Sequence, residues 1–382
     1  MIRPVVPSRI ARRSVAAFVG AALSAALSAA LSAALSVASG CGDGRPQVVA
    51  YVSADDAVAR PILEAFEDEH GVRVLVRYDT EATKTTGLVN RIRAERDRPA
   101  ADLLWSSEPF MMAQLADEGL LEAPPAEVLP DWPDALKDGD RRWHAFSGRA
   151  RVVVYSPERV DAAEAPATWM DLLDERWRGR VVMADPRFGT TRGHLGAMKR
   201  YWDRNVMPGY YGAFLQGLAE NEVRLLPGGN AAVVEAVASG EAEVGLTDTD
   251  DVFAARDRGL AVAMVMPRHD PDEIVPGGGT LVVPNTVALV RGGPNRELAI
   301  ELLEHLLSAE VELALLRSPS RNVPLVHAGA MTAADAERAA AATVADPLRV
   351  DLGRAAAAMP AAVEDAMSVL MPQGSDASSG RD

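Results

Sequence analysis

The chain has 382 residues, 48% of them apolar and one a cysteine, with a formal net charge of −15. That length and apolar share are enough to bury a large core and suggest two globular units. The acidic balance offers no basic patch and argues against nucleic acid as a partner.

The first forty residues differ from the rest. Arg3, Arg9, Arg12 and Arg13 precede an apolar run from Val15 to Val37, with no acidic residue before Asp43, which is the layout of an export signal. The run ends in Ala38-Ser39-Gly40-Cys41, small residues directly before the sole cysteine, and resembles the lipobox of bacterial lipoproteins. A signal peptide over 1–40, acylation of Cys41 and a short spacer over 41–47 are expected. Losing four arginines and no acid would move the net charge from −15 to −19, an attraction for metal cations and cationic groups.

Beyond the spacer, Val48–Val52 reads as a buried strand, Ala57–His70 as an amphipathic helix closed by Gly71, and Val72–Val76 as the next strand. A periodic stretch over Thr86–Glu95 leads to a third strand at Ala101–Trp105, and this alternation predicts an α/β fold with a mostly parallel sheet. Arg151–Tyr155 is a strand outside that rhythm and marks the passage into a second lobe. The α/β style returns between Arg180 and Leu246; Thr280–Val283 with Val287–Val290 then reads as a return strand pair, and Arg296–Leu316 as one long helix. The lobes fall at 48–150 plus about 280–330, and at 151–279 plus about 331–372; the Gly, Ser and Asp of 373–382 predict a disordered tail.

Six segments carry a resemblance: Tyr51-Val52-Ser53-Ala54-Asp55-Asp56, Asp79-Thr80-Glu81-Ala82-Thr83-Lys84, Trp105-Ser106-Ser107-Glu108, Gly148-Arg149-Ala150-Arg151, the stretch from Ala236 to Leu246, and Ser320-Arg321-Asn322-Val323-Pro324. Together they resemble the ferric-iron-binding branch of the solute-binding proteins of ABC importers, over most of residues 48–326. The resemblance implies a two-lobed, type II periplasmic-binding-protein fold joined by strand crossings. It also implies capture of a small ligand by lobe closure, partnership with a permease and an ATPase, and no catalytic cofactor, with iron only as cargo.

Residue by residue, the resemblance puts Asp55 or Asp56 where relatives carry a ligand after the first strand, and either would also cap the helix that follows. Glu108 stands where relatives place a glutamate ligand, with a helix cap as the alternative. Asp250 and Asp251 occupy the places of the adjacent tyrosines whose phenolates bind ferric iron, so a cation, an amine or sugar hydroxyls would meet carboxylates there. Thr190, Thr191 and Arg192, before a helix expected near His194, form an anion cradle or a cap; Arg151 and Arg321 balance charge near the cleft or pair elsewhere. Tyr210-Tyr211 reads as aromatic packing. Two ligand classes stay open: a hard metal with a synergistic anion, and a phosphorylated or phosphonate organic solute. No His-Glu-x-x-His, phosphate-binding loop or nucleophile elbow is present, so an enzyme is not expected.

Overall fold

The computed structural model describes residues 44–79, 85–270 and 277–371; Cys41, the apolar run before it, Thr80–Lys84 and the segment 373–382 lie outside them. From Gln47 onward the chain forms β1 (Gln47–Val52), α1 (Asp56–His70), β2 (Arg73–Tyr78), α2 (Thr86–Ala94), β3 (Leu103–Ser106), α3 (Phe110–Asp117) and β4 (Leu121–Glu122). In α1 the buried residues Ala59, Ile62, Leu63 and Phe66 fall at helical spacing and form its core stripe, and Gly71 ends it in the left-handed conformation at φ 65°.

The second half begins with β5 (His144–Tyr155), β6 (Val181–Ala184), α4 (Gly189–Asn205), α5 (Tyr210–Glu220), β7 (Arg224–Leu226), α6 (Gly229–Ser239), β8 (Val244–Asp248), α7 (Thr249–Asp257) and β9 (Ala263–Val265). It closes with β10 (Val282–Val290), α8 (Arg296–Leu306), α9 (Ala309–Arg317), α10 (Ala333–Ala340) and α11 (Leu352–Leu370). The strand order is β2-β1-β3-β10-β5-β8-β6-β7, with β4 on β10 and β9 on β5.

Two parallel groups, β2-β1-β3 and β8-β6-β7, are joined through antiparallel β10 and β5. The first part of β5, from His144 to Ala150, pairs with β10, whereas Arg151–Tyr155 pairs with β8 and β9. One continuous strand therefore serves both lobes. All twelve of its residues are buried, His144, Ser147, Arg149 and Arg151 among them. Buried charges on a strand demand partners, and the period of two puts Arg149 and Arg151 on the same face.

Apolar cores lie on either side of this axis. Val48, Ala50, Phe66, Leu302 and Leu306 pack under α1 and α8, and Val152, Val182, Val233 and Val252 pack under α6 and α7. The C-terminal α11 lies along α4, where a Cβ on Gly196 would stand 2.7 Å from the Ala355 carbonyl oxygen, so only glycine admits the helix this closely. Among the described residues no helix is long and apolar enough to cross a membrane.

Three sequence expectations change. The return strand pair is one strand, β10, whose register shifts between Pro284 and Asn285; a bulge there accommodates a residue with no N–H to give. The long helix over Arg296–Leu316 is two, because Ser308 starts α9 by accepting from the Val311 N–H at 3.3 Å. The helix expected near His194 begins at Gly189, so the whole Gly-Thr-Thr-Arg-Gly segment is its first turn.

Candidate functional site

A cleft opens at the ends of β1, β3, β6 and β8, walled by residues just after these strands: Asp55, Ser107, Asp185 and Asp250 among them. Parallel strands in an open α/β sheet place loops and helix starts at their C-terminal ends, where ligands are held.

The floor is a charge network built on the two arginines of β5. Arg151 is fully buried and donates to Asp248 Oδ1 at 2.8 Å, to Thr190 and Asn230 at 3.3 Å each, and to Thr191 at 3.5 Å. Arg149 donates to Asp248 Oδ2 at 3.2 Å and lies 3.3 Å from Asp250. Asp248 Oδ2 also accepts from the Thr190 hydroxyl at 2.6 Å and the Asn230 amide at 2.8 Å. Burial works against the charge of Asp248, and Arg151 and Arg149 outweigh it, holding its carboxyl below the usual range. Its lone pairs are largely committed to these donors, so Asp248 is an anchor rather than an open ligand.

Asp250 and Asp251 sit in the first turn of α7, where the helix dipole favours negative charge. One carboxylate oxygen each from Asp248, Asp250 and Asp251 lie within 4.8 Å of one another. Burial opposes the Arg149 charge, but Asp250, Asp248 and Asp251 raise its pKa, so the guanidinium is a fixed cation between the carboxylates.

The other expected residues divide. Asp55, Thr190 and Thr191 reach the cleft wall; Asp55 precedes α1 without a side-chain cap bond. Asp56 does not reach it, because it is the first residue of α1 and pairs with Arg60 one turn on, at 2.6 Å on an exposed face. Arg151 lies beneath the floor rather than in the wall, its guanidinium spent on Asp248 and the neighbouring hydroxyls. Arg192 is likewise outside the lining; burial lowers its pKa, and the nearby Glu108 works in the other direction. Arg321 pairs with Asp257 at 2.6 Å and stacks on Phe253 at 4.7 Å, an ion pair on α7 away from the carboxylates. Tyr211 donates to the Ala362 carbonyl at 2.7 Å and Tyr210 packs on Trp202, as aromatic packing predicts.

Glu108 takes the helix-cap alternative. It borders the cleft but is 2% exposed, and its carboxylate accepts from the N–H groups of Phe110 at 2.7 Å and Met111 at 3.1 Å, where α3 begins. Burial pushes its pKa up to about 7, against the pull of those N–H groups and of Arg192 and Arg149. For an acid the sign is destabilising: between about pH 4.5 and 7 the unfolded carboxyl ionises while the folded one stays neutral, so stability falls as pH rises. A Glu108→Gln variant is expected to gain stability over the native chain across that window, by on the order of 2–3 kcal/mol, and to match it below pH ~4. Urea unfolding at pH 4.5, 6 and 7.5 checks this.

Sequence reading passed over Arg149, Asp248 and Asn230 as site residues. The signal for the first was there: two arginines two apart in an otherwise apolar strand must share a face and a counter-charge. Asp248 stands in the acidic run of 247–251, but its separation from Asp250 and Asp251 needs the strand end to fall between them. Asn230 had no local signal, since only folding brings α6 to β8.

Residues 98–346 match the family model described as bacterial extracellular solute-binding protein. Iron uptake protein A1 of Synechocystis sp. is 27% identical over 246 residues, which cover 62% of this chain and 65% of the relative, so the chain spans just under two thirds of that protein. A putative 2-aminoethylphosphonate-binding periplasmic protein of Salmonella typhimurium is 25% identical, covering 68% and 76%. Iron-bound HitA from Pseudomonas aeruginosa superposes with a TM-score of 0.68 at 22% identity, over 84% of this chain and 99% of that one, and has the same two-lobed fold.

Proposed function

Because the chain belongs to the bacterial extracellular solute-binding protein family, we propose that it captures iron or a related hard metal ion in its cleft and hands it to the permease and ATPase of an ABC importer. The observation that carries this reading is the pair Asp250 and Asp251 at the cleft wall, each with an oxygen within 4.8 Å of the other's and of the anchored Asp248. Carboxylate, hydroxyl and amide oxygens suit a hard cation, and no tyrosine, histidine or cysteine stands among the described lining residues. Asp250 and Asp251 are the direct ligands, Asp55 faces them from the other wall, and the first turn of α4 with Thr191 receives an accompanying anion. The lobes that close are 48–150 with about 280–330, and 151–279 with about 331–372.

A phosphonate or phosphorylated organic solute is the second reading, favoured by the pairing of a helix start with carboxylates that would take an amine. Among the described lining residues Asp55, Asp185, Asp250 and Asp251 outnumber one arginine, Arg149, so an anionic group is held there only with a cation to offset the carboxylates, which the first reading supplies as the metal. Thermal unfolding with ferric citrate, Mn(II), phosphate, hexose phosphates and 2-aminoethylphosphonate separates the two. A ligand at 100 times its Kd stabilises the folded chain by about 2.7 kcal/mol; a rise with ferric citrate supports the proposal, and a rise with organophosphorus compounds alone overturns it.

The same reading puts the mature chain at the periplasmic face of the envelope, held by lipid on Cys41. Cys41→Ser is expected to move it from the membrane fraction to the soluble one, as immunoblotting of fractionated cells would show; retention in the membrane contradicts the anchor.

A further inference from the structure

Directly behind the floor of the cleft lie two histidines that no ligand reading uses. His194, on α4, and His269, after β9, are buried to 1% and 0% exposure, and their Nε2 atoms are 2.9 Å apart. Trp169 packs on both rings, with centroids 4.6 and 5.7 Å away. Trp202 donates to the His269 carbonyl at 2.6 Å, which fixes that residue's backbone against α4.

The chemistry of the partners determines every proton in this row. His269 Nδ1 is 2.7 Å from the Gly279 carbonyl oxygen, which can only accept, so Nδ1 carries a hydrogen. Burial keeps the ring neutral, pushing its pKa down to about 4, so Nε2 is a bare acceptor. His194 must then present Nε2–H to it. Burial holds His194 neutral as well, which leaves Nδ1 as a lone pair, 3.4 Å from the Nε–H of Arg151. The donors all run one way: Arg151 to His194, His194 to His269, His269 to Gly279.

The geometry points to His194 as a positioning residue for solute binding: with His269 behind it, it holds Arg151 by Nε, so that both terminal nitrogens of the guanidinium face Asp248, Thr190, Asn230 and Thr191. Those four line the cleft. Without an acceptor at Nε the guanidinium keeps its 2.8 Å pair with Asp248 but loses a third fixed point of its plane, so it can turn about that pair and away from Thr190, Asn230 and Thr191, whose bonds to it are already 3.3 to 3.5 Å. The relay also ties the floor to Gly279, which precedes β10, the strand paired with both β3 and β5. This inference rests on the cleft being the solute site, not on which solute fills it.

Two substitutions in the full chain test it. His194→Phe removes the acceptor, whereas His194→Asn keeps an oxygen near the place of Nδ1. Ferric citrate affinity, followed by tryptophan fluorescence, is expected to fall about tenfold or more in His194→Phe and to recover to within about threefold of native in His194→Asn, in the range of outer-shell effects on metal sites. Equal loss in both variants, or no loss in His194→Phe, overturns the positioning role. Imidazole ¹⁵N spectra of the ligand-free protein supply a readout independent of iron: His269 protonated on Nδ1, His194 on Nε2, and an Arg151 Nε–H signal present in native and His194→Asn but shifted or lost in His194→Phe. Opposite tautomers, or an Arg151 signal indifferent to His194, overturn the relay. Should the native protein ignore ferric citrate while these spectra come out as stated, the iron reading fails and the relay stands.

Discussion

Replacing Asp250 and Asp251 together by asparagine is expected to weaken ferric citrate binding by two to four orders of magnitude while leaving the fold intact. Both side chains stand in the first turn of α7 at the cleft wall, half-buried rather than sealed in the core, so the substitution deletes two charges without opening a cavity. Charge-assisted contacts contribute about 1.5–3 kcal/mol each, and losing two gives about 3–6 kcal/mol, or roughly 10² to 10⁴ in Kd. Calorimetric titration at fixed ionic strength measures it. An unchanged Kd would remove the acidic pair from the site and with it the carboxylate basis of the iron reading.

Asp248→Ala should behave in the opposite manner, acting on stability first. Asp248 is 1% exposed and is the shared counter-charge of Arg149 and Arg151, themselves 6% and 0% exposed. Removing one partner of a buried pair strands the others and costs about 3–5 kcal/mol. Because its folded pKa lies below the ordinary 3.8, its contribution is present above about pH 4 and is lost only as pH falls through that depressed folded value. The stability gap between the native chain and the variant is therefore expected to hold from pH 8 down to about 4 and to shrink only in stronger acid. Urea midpoints over that range check it; a gap that closes near neutrality would mean that the two arginines do not depend on this carboxylate. Set beside the asparagine pair, the result separates the anchor from the ligands within one run of five residues.

Much of the architecture could be read from the chain. Alternating strands and helices called for an α/β fold, the off-rhythm strand at Arg151 is the part of β5 where pairing passes from β10 to β8 and β9, and the six segments from Tyr51 to Pro324 pointed to the solute-binding family that residues 98–346 match. Less legible were places where two local rules compete. Glu108 suited a ligand or a cap, and the cap prevails because the N–H groups at the start of α3 are buried with it and have nothing else to bond. Thr280–Val283 and Val287–Val290 read as a strand pair, but a bulge at Pro284 keeps Val282–Val290 one strand.

What the sequence by itself determined is the alternation, the acidic charge and the placing of aspartates and hydroxyls at strand ends, since these follow from periodicity and from short-range turn and cap chemistry. Only the tertiary structure decided which of those groups reach solvent in the cleft. Arg151 and Asp250 look equally available in one dimension, yet the first is sealed under a floor made by residues from α4, α6 and β8, and the second stands at the wall. That choice depends on contacts between residues 39 to 97 positions apart, where burial and counter-charge, rather than local propensity, set what each side chain can do.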